Sequence, residues 1–195
     1  MHRPRAVRPL VGAAFACLLL LTGCSSLAGT GNKGYISGNG DVRIVDEADR
    51  GDPVDLTGTS LTGDSVDAAD YRGKVVVVNT WWSGCAPCRT EMPMLAEASK
   101  KLGSQAQFLG INIRDNSEAQ GIAFSRSAGV EYPSIYDPDG QAMLTFSGKA
   151  SLISTPTTVI LDPQGRVAAV IAGEIPSELT LTEVVDDVSG TTADG

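Results

Sequence analysis

Histidine is the residue this 195-residue chain has least of: His2 is the only one. Basic residues are also few, with 15 Lys and Arg against 23 Asp and Glu and a formal net charge of −8. Such a chain has no electrostatic footing on nucleic acid or anionic headgroups, so no nucleic-acid partner is expected. Long apolar runs are missing too. The run from Leu10 to Leu21 is too short for a membrane span. Cysteines number four: Cys17, Cys24, Cys85 and Cys88. What is present suits a globular core. Hydrophobic content is 42% and charged content 19%, in a length fit for one domain plus extra segments.

The start, "MHRPRAVRPLVGAAFACLLLLTGC", is basic and then apolar, the pattern of a signal peptide. Leu21-Thr22-Gly23-Cys24 resembles a bacterial lipobox. That resemblance implies a lipoprotein signal over residues 1–23, with Cys24 taking a diacylglycerol thioether as the mature N-terminus. The alternative is an ordinary secretory signal with an incidental cysteine. Several acyl chains would anchor the protein stably where one would not. The expected location is therefore extracytoplasmic, lipid-anchored at the cell membrane. Loss of Arg3, Arg5 and Arg8 leaves 12 basic against 23 acidic residues, a balance of −11. Residues 24–40 are rich in Gly, Ser and Asn and read as a flexible tether. Its reach is on the order of 20 Å. A domain is expected over 41–188 and a disordered tail over 189–195.

Inside the domain, strand and helix signals alternate. "DVRIV" (41–45) and 54–66 suggest short strands, with Gly63-Asp64 at a turn. "KVVVVNTWW" (74–82) is nearly all apolar, the mark of a strand buried on both faces. A helix over about 86–102 follows, then a strand at 107–113, a helix at 117–128, an extended segment at 133–137 and a short helix at 141–146. "TTVILD" and "RVAAVIAG" around Pro163–Gly165 predict a hairpin. A closing helix over 176–188 is expected to bury Leu179, Val184, Val185 and Val188. The pattern is α/β: a mixed sheet flanked by helices.

Cys17 lies in the signal core and Cys24 at its end, so Cys85 and Cys88 can pair only with each other in the domain. As a staple, so short a loop stabilises little. As a zinc site the pair supplies two of four ligands, with no histidine left to complete it. Haem attachment would need histidine after Cys88, where Arg89 stands. A redox pair fits better. A helix N-terminus offers free N–H groups and a positive dipole end, which favour thiolate. Cys85 is expected as the exposed nucleophile and Cys88, one turn in, as the buried resolving thiol.

Over about 52–188 the chain resembles the thioredoxin-like superfamily, and within it the membrane-tethered TlpA/ResA thiol-disulfide oxidoreductases. Gly73–Asn79, Trp81, Cys85-Ala86-Pro87-Cys88-Arg89, Glu91 and Pro93 carry the resemblance, with Thr155-Pro156-Thr157-Thr158 downstream. It implies a thioredoxin-like sheet with an N-terminal β-hairpin extension and a central αβ insertion over 116–146. It also implies a bend at Pro93 and a cis Pro156 that frees Thr155 backbone groups for an extended substrate. Trp81, Trp82, Ala86, Pro87, Thr155 and Pro156 are the implied substrate-binding residues. Asn79 stands where thioredoxin has a buried aspartate, and Glu91, three residues after Cys88, matches the group's glutamate. That glutamate is the implied proton-transfer residue; the alternative is a favourable surface charge near a helix start.

The pattern departs from the family at Gly84, where tryptophan is common, and Trp82 stands two positions earlier. "YPSIYDPDG" (132–140) is similar to actinobacterial members proposed for cytochrome c maturation. The implied function is thiol-disulfide exchange on protein cysteine pairs, by reduction of apocytochrome c fed from a membrane thiol transporter. A disulfide-forming oxidase and a thioredoxin-fold peroxidase are the alternatives. A monomer is expected, with no metal and no cofactor beyond the Cys85–Cys88 couple.

Overall fold

The computed structural model describes residues 35–37 and 40–190. The expected signal, Cys24 and residues 191–195 lie outside them. Nine strands are described: β1 (Tyr35–Ser37), β2 (Gly40–Ile44), β3 (Thr57–Thr59), β4 (Ser65–Asp67), β5 (Val75–Trp81), β6 (Ala106–Asn112), β7 (Ser134–Tyr136), β8 (Thr157–Leu161) and β9 (Val167–Ala172). The helices are α1 (Ala86–Lys101), α2 (Glu118–Ser127) and α3 (Glu178–Ser189). Seven strands form one sheet in the order β1-β2-β9-β8-β5-β6-β7. β5, β6 and β7 run parallel, while β8, β9, β2 and β1 join antiparallel. β3 and β4 form a separate hairpin, the expected N-terminal extension. Segment 116–146 supplies α2, β7 and a 3-10 turn at Ala142–Phe146, the expected insertion.

The apolar run 74–82 becomes β5, buried at all seven positions. Alternate residues serve opposite faces. Val75, Val77 and Trp81 meet Leu95 of α1 and Leu181 and Val185 of α3. Val76 and Val78 meet Leu56, Val66 and Phe146 on the other face. Each such side chain contributes about 1.5–3 kcal/mol. This double cover makes β5 a rigid rail ending at the cysteine motif.

Two expectations change here. The tether was expected through residue 40, but Tyr35–Ser37 pairs with β2 and adds an edge strand. In α3, Leu181 rather than Leu179 is buried, and Leu179 is exposed. Ser177 caps the helix by accepting from the Thr180 N–H. Val184, Val185 and Val188 stand three, four and seven residues after Leu181, so these four share the inward stripe and Leu179 falls across the helix.

Candidate active site

β5 ends at Trp81, and Cys85 caps α1 four residues later. Cys85 and Cys88 are joined in a disulfide. The Cys88 N–H points at Cys85 Sγ from 3.2 Å, the approach of a free first-turn amide to an N-cap. Pro87 in the first turn loses no hydrogen bond there. Cys85 Sγ lies 3.8 Å from the Thr155 carbonyl oxygen, so a reduced thiol has an acceptor in reach. The Thr155–Pro156 bond is cis, the isomer the resemblance implied. Thr155 is half-buried and Pro156 buried, while Ala86 is exposed and Pro87 half-buried.

Cys88 is 0% exposed and Cys85 5%. The expected contrast between an open and a closed sulfur is therefore slight in the disulfide form, because the Thr155 loop and neighbouring core both close over Cys85. Trp81 is likewise no surface residue. It is fully buried, with its ring centroid 5.6 Å from that of Phe124. A methyl group at Gly110 would stand 2.6 Å from Trp81 Nε1, so glycine on β6 leaves the indole its space. Trp82 does border the site. Its ring lies across Gly84, where any Cβ would clash with it. Gly84 and the tryptophan two residues before it are one packing unit.

Behind the disulfide lies Glu91, 2% exposed. Its Oε1 accepts from Asn79 Nδ2 at 2.9 Å, and its Oε2 from the Ile175 N–H at 2.9 Å. Burial pushes its carboxyl from 4.5 up to about 7, the two hydrogen bonds hold it down in part, and the charge of Glu174 adds to the rise. Asn79 Nδ2 also donates to Thr158 Oγ1 at 3.0 Å, while Asn79 Oδ1 is buried without a partner. Turning that amide would offer an acceptor to a protonated Glu91, so Asn79 can serve both states of the carboxyl. Burial and the Glu91 charge raise Tyr132 above the ordinary phenol range.

On the other side of the loop stands Asp115, 2% exposed, which sequence reasoning missed. It takes hydrogen bonds from the Ser83 N–H and hydroxyl and from Asn112 Nδ2. Its only sequence signal is its place just after a buried strand. Among the described residues, no group of three or more His, Cys, Asp or Glu side chains gathers as a metal site. The same residues include no helix long and apolar enough to cross a membrane.

A buried cysteine pair at a helix start, joined here as a disulfide, with a neutral-range carboxyl on the same helix face, is equipped for thiolate exchange. Residues 51–170, more than half the chain, match the AhpC/TSA family model. The chain belongs to this family. Its fold is similar to a DsbF homologue from Corynebacterium diphtheriae, at 38% identity and TM-score 0.70 over 80% of this chain and 99% of that one. A secreted thiol-disulfide isomerase from Corynebacterium glutamicum shows 36% identity and TM-score 0.67, over 74% and 92% of the two chains. The thiol-disulfide oxidoreductase ResA of Bacillus subtilis is 29% identical over 60% of this chain, and the match spans 63% of that protein's length. These matches and the Cys85–Cys88 disulfide assign thiol-disulfide oxidoreductase chemistry to the site.

Proposed function

We propose that this member of the AhpC/TSA family is an extracytoplasmic lipoprotein that reduces disulfides in protein substrates, with apocytochrome c as the substrate class. The observation that carries the reading is the Cys85–Cys88 disulfide at the start of α1 with Glu91 buried on the same helix. In the reduced protein, the Cys85 thiolate attacks one sulfur of a substrate disulfide. The substrate S–S bond breaks, a mixed disulfide forms, and the other substrate sulfur leaves as thiolate. Cys88 then gives its proton to Glu91 and attacks Cys85 Sγ. The second substrate sulfur departs, the Cys85–Cys88 bond closes, and two electrons have passed to substrate. A carboxyl titrating at about 7 can take that proton at neutral pH and return it on re-reduction. A membrane thiol transporter supplies the two electrons that reopen the disulfide. The exposed Ala86 and the Thr155–Pro156 turn, with Trp82 and Pro87 beside them, form the surface on which an extended substrate lies. The anchor is the lipid on Cys24.

Cys88→Ser should accumulate mixed disulfides through Cys85, readable by mass spectrometry of trapped partners. Trapping through Cys85→Ser instead would reverse the two roles. A second reading, net formation or shuffling of disulfides, draws on the two Corynebacterium neighbours, which share more identity with this chain than the Bacillus relative does. The potential of the Cys85/Cys88 couple separates the two. A strongly oxidising value with rapid oxidation of reduced substrates would sink the reductive direction, and rapid stoichiometric consumption of peroxide would revive the peroxidase alternative.

A further inference from the structure

The turn before the disulfide hangs on a carboxylate from another part of the chain. Asp115 lies between β6 and α2, beyond the end of the strand that pairs with β5. The Ser83 N–H reaches both its oxygens, at 3.1 and 3.2 Å, and the Ser83 hydroxyl donates to Oδ1 at 2.6 Å. Asn112 Nδ2 donates to Oδ2 at 2.7 Å, and the Tyr136 hydroxyl donates to the Asp115 backbone carbonyl at 3.1 Å. No Lys or Arg forms an ion pair with Asp115 among the described residues. A carboxylate buried among neutral donors is a costly way to fill space, and an apolar group would serve packing better.

The donors converge on one residue. Ser83 Oγ also accepts from Gln120 Nε2 at 2.8 Å, and its carbonyl accepts from Arg89 Nη1 at 3.1 Å. Every polar atom of Ser83 is therefore engaged, from the segment between β6 and α2, from α2 and from α1 at once. Ser83 stands inside the turn closed by the Cys85 N–H and the Trp82 carbonyl at 3.1 Å. The last residue of that turn, Cys85, is the N-cap whose sulfur meets the Cys88 N–H.

We propose that Asp115 is a positioning residue for the redox pair: by holding Ser83 it fixes the turn that sets Cys85 against the free amides of α1. The inference rests on the reading that Cys85 works as a thiolate. When the disulfide opens, the bond that ties Cys85 Sγ to Cys88 is gone, and the Asp115–Ser83 contacts remain to keep that sulfur in the first-turn field.

The test is made in the full chain carrying Cys88→Ser. Iodoacetamide alkylation is followed against pH at the Cys85 peptide by mass spectrometry. Ser83→Ala should slow alkylation at pH 7 by about three- to tenfold and move the midpoint of the profile to higher pH. Ser83→Thr, which keeps both donors, should retain the parent profile. Asp115→Asn removes a negative charge, which alone would favour the thiolate. Slower alkylation in that variant therefore reads loss of position over loss of charge. Lower melting temperatures with an unmoved Cys85 profile in Ser83→Ala would overturn the proposal, and so would faster alkylation in Asp115→Asn. If Asp115→Asn does not fold, Ser83→Ala decides. Alkylation reports the Cys85 thiolate whichever sulfur attacks substrate, so a failure of the trapping experiment is distinguishable from a failure here.

Discussion

The two ends of the central sheet treat buried carboxylates in opposite ways. At the end where β5 begins, Asp162 is held by Arg166 Nε at 2.7 Å and Arg50 Nη1 at 3.3 Å, with backbone N–H groups of Gln164 and Arg166 at 3.0 and 2.9 Å. Its charge is compensated in place, and the contacts tie the N-terminal segment to the β8–β9 hairpin. At the end where β5 delivers the cysteines, Glu91 and Asp115 are just as buried but have only neutral donors. Burial raises the Glu91 carboxyl to about 7, so protonation competes there near neutral pH. Glu91, held only by neutral donors, is the carboxyl that can move a proton, and it stands at the end with the disulfide.

The sharpest way to break this contrast is Asp162→Ala. It takes the buried acceptor from two guanidinium groups, which keep only Glu47, Gln164 and the Val45 carbonyl, and from two backbone N–H donors, so the cost should be about 3 kcal/mol. The melting temperature should fall by many degrees, while exchange activity per folded molecule stays unchanged. An activity loss larger than the loss of folded protein would show that the two ends are coupled.

Glu91→Gln probes the other end. The folded carboxyl titrates at about 7 against an ordinary 4.5, so between those values the folded protein holds a proton that the unfolded chain has released. Stability therefore declines as pH rises through this window, by about 3 kcal/mol in all. The glutamine variant should lose that decline, and its exchange rate should lose the step near neutral pH. Denaturation midpoints of parent and variant that run parallel from pH 5 to 8 would count against a titrating Glu91.

The redox end was also the easier end to read from sequence, for a physical reason. Cys85, Cys88, Glu91 and Pro93 sit within three turns of one helix, where spacing alone fixes which residues share a face. The run 74–82 announced a strand covered on both sides, and β5 is that strand. The same double burial defeats any inference about surface. Alternation cannot mark an outward residue on such a strand, so Trp81 looked available to substrate and lies in the core. Leu179 was a misreading of spacing: it stands five, six and nine residues from Val184, Val185 and Val188, across the helix, while Leu181 stands three, four and seven away on their stripe. Asp115 to Ser83 and Glu91 to the Ile175 N–H are contacts across 32 and 84 residues. No local pattern encodes them; they exist only once the strands are in register.

Gly84→Ala carries the smallest expected effect and tests the local packing of the redox end alone. A Cβ there would stand 2.7 and 2.9 Å from two atoms of the Trp82 ring, closer than carbon atoms pack, and nearer still to a third. Because Trp82 is only half-buried, its ring can swing aside, and the cost should be about 1 kcal/mol. Trp81 is locked in the core, so the change in tryptophan emission would come from Trp82. Asp162→Ala should leave that emission as it is, since it acts at the far end of β5. If Gly84→Ala shifts neither emission nor melting temperature, Trp82 does not lie over the turn in solution. The tryptophan two residues earlier would then no longer account for the glycine.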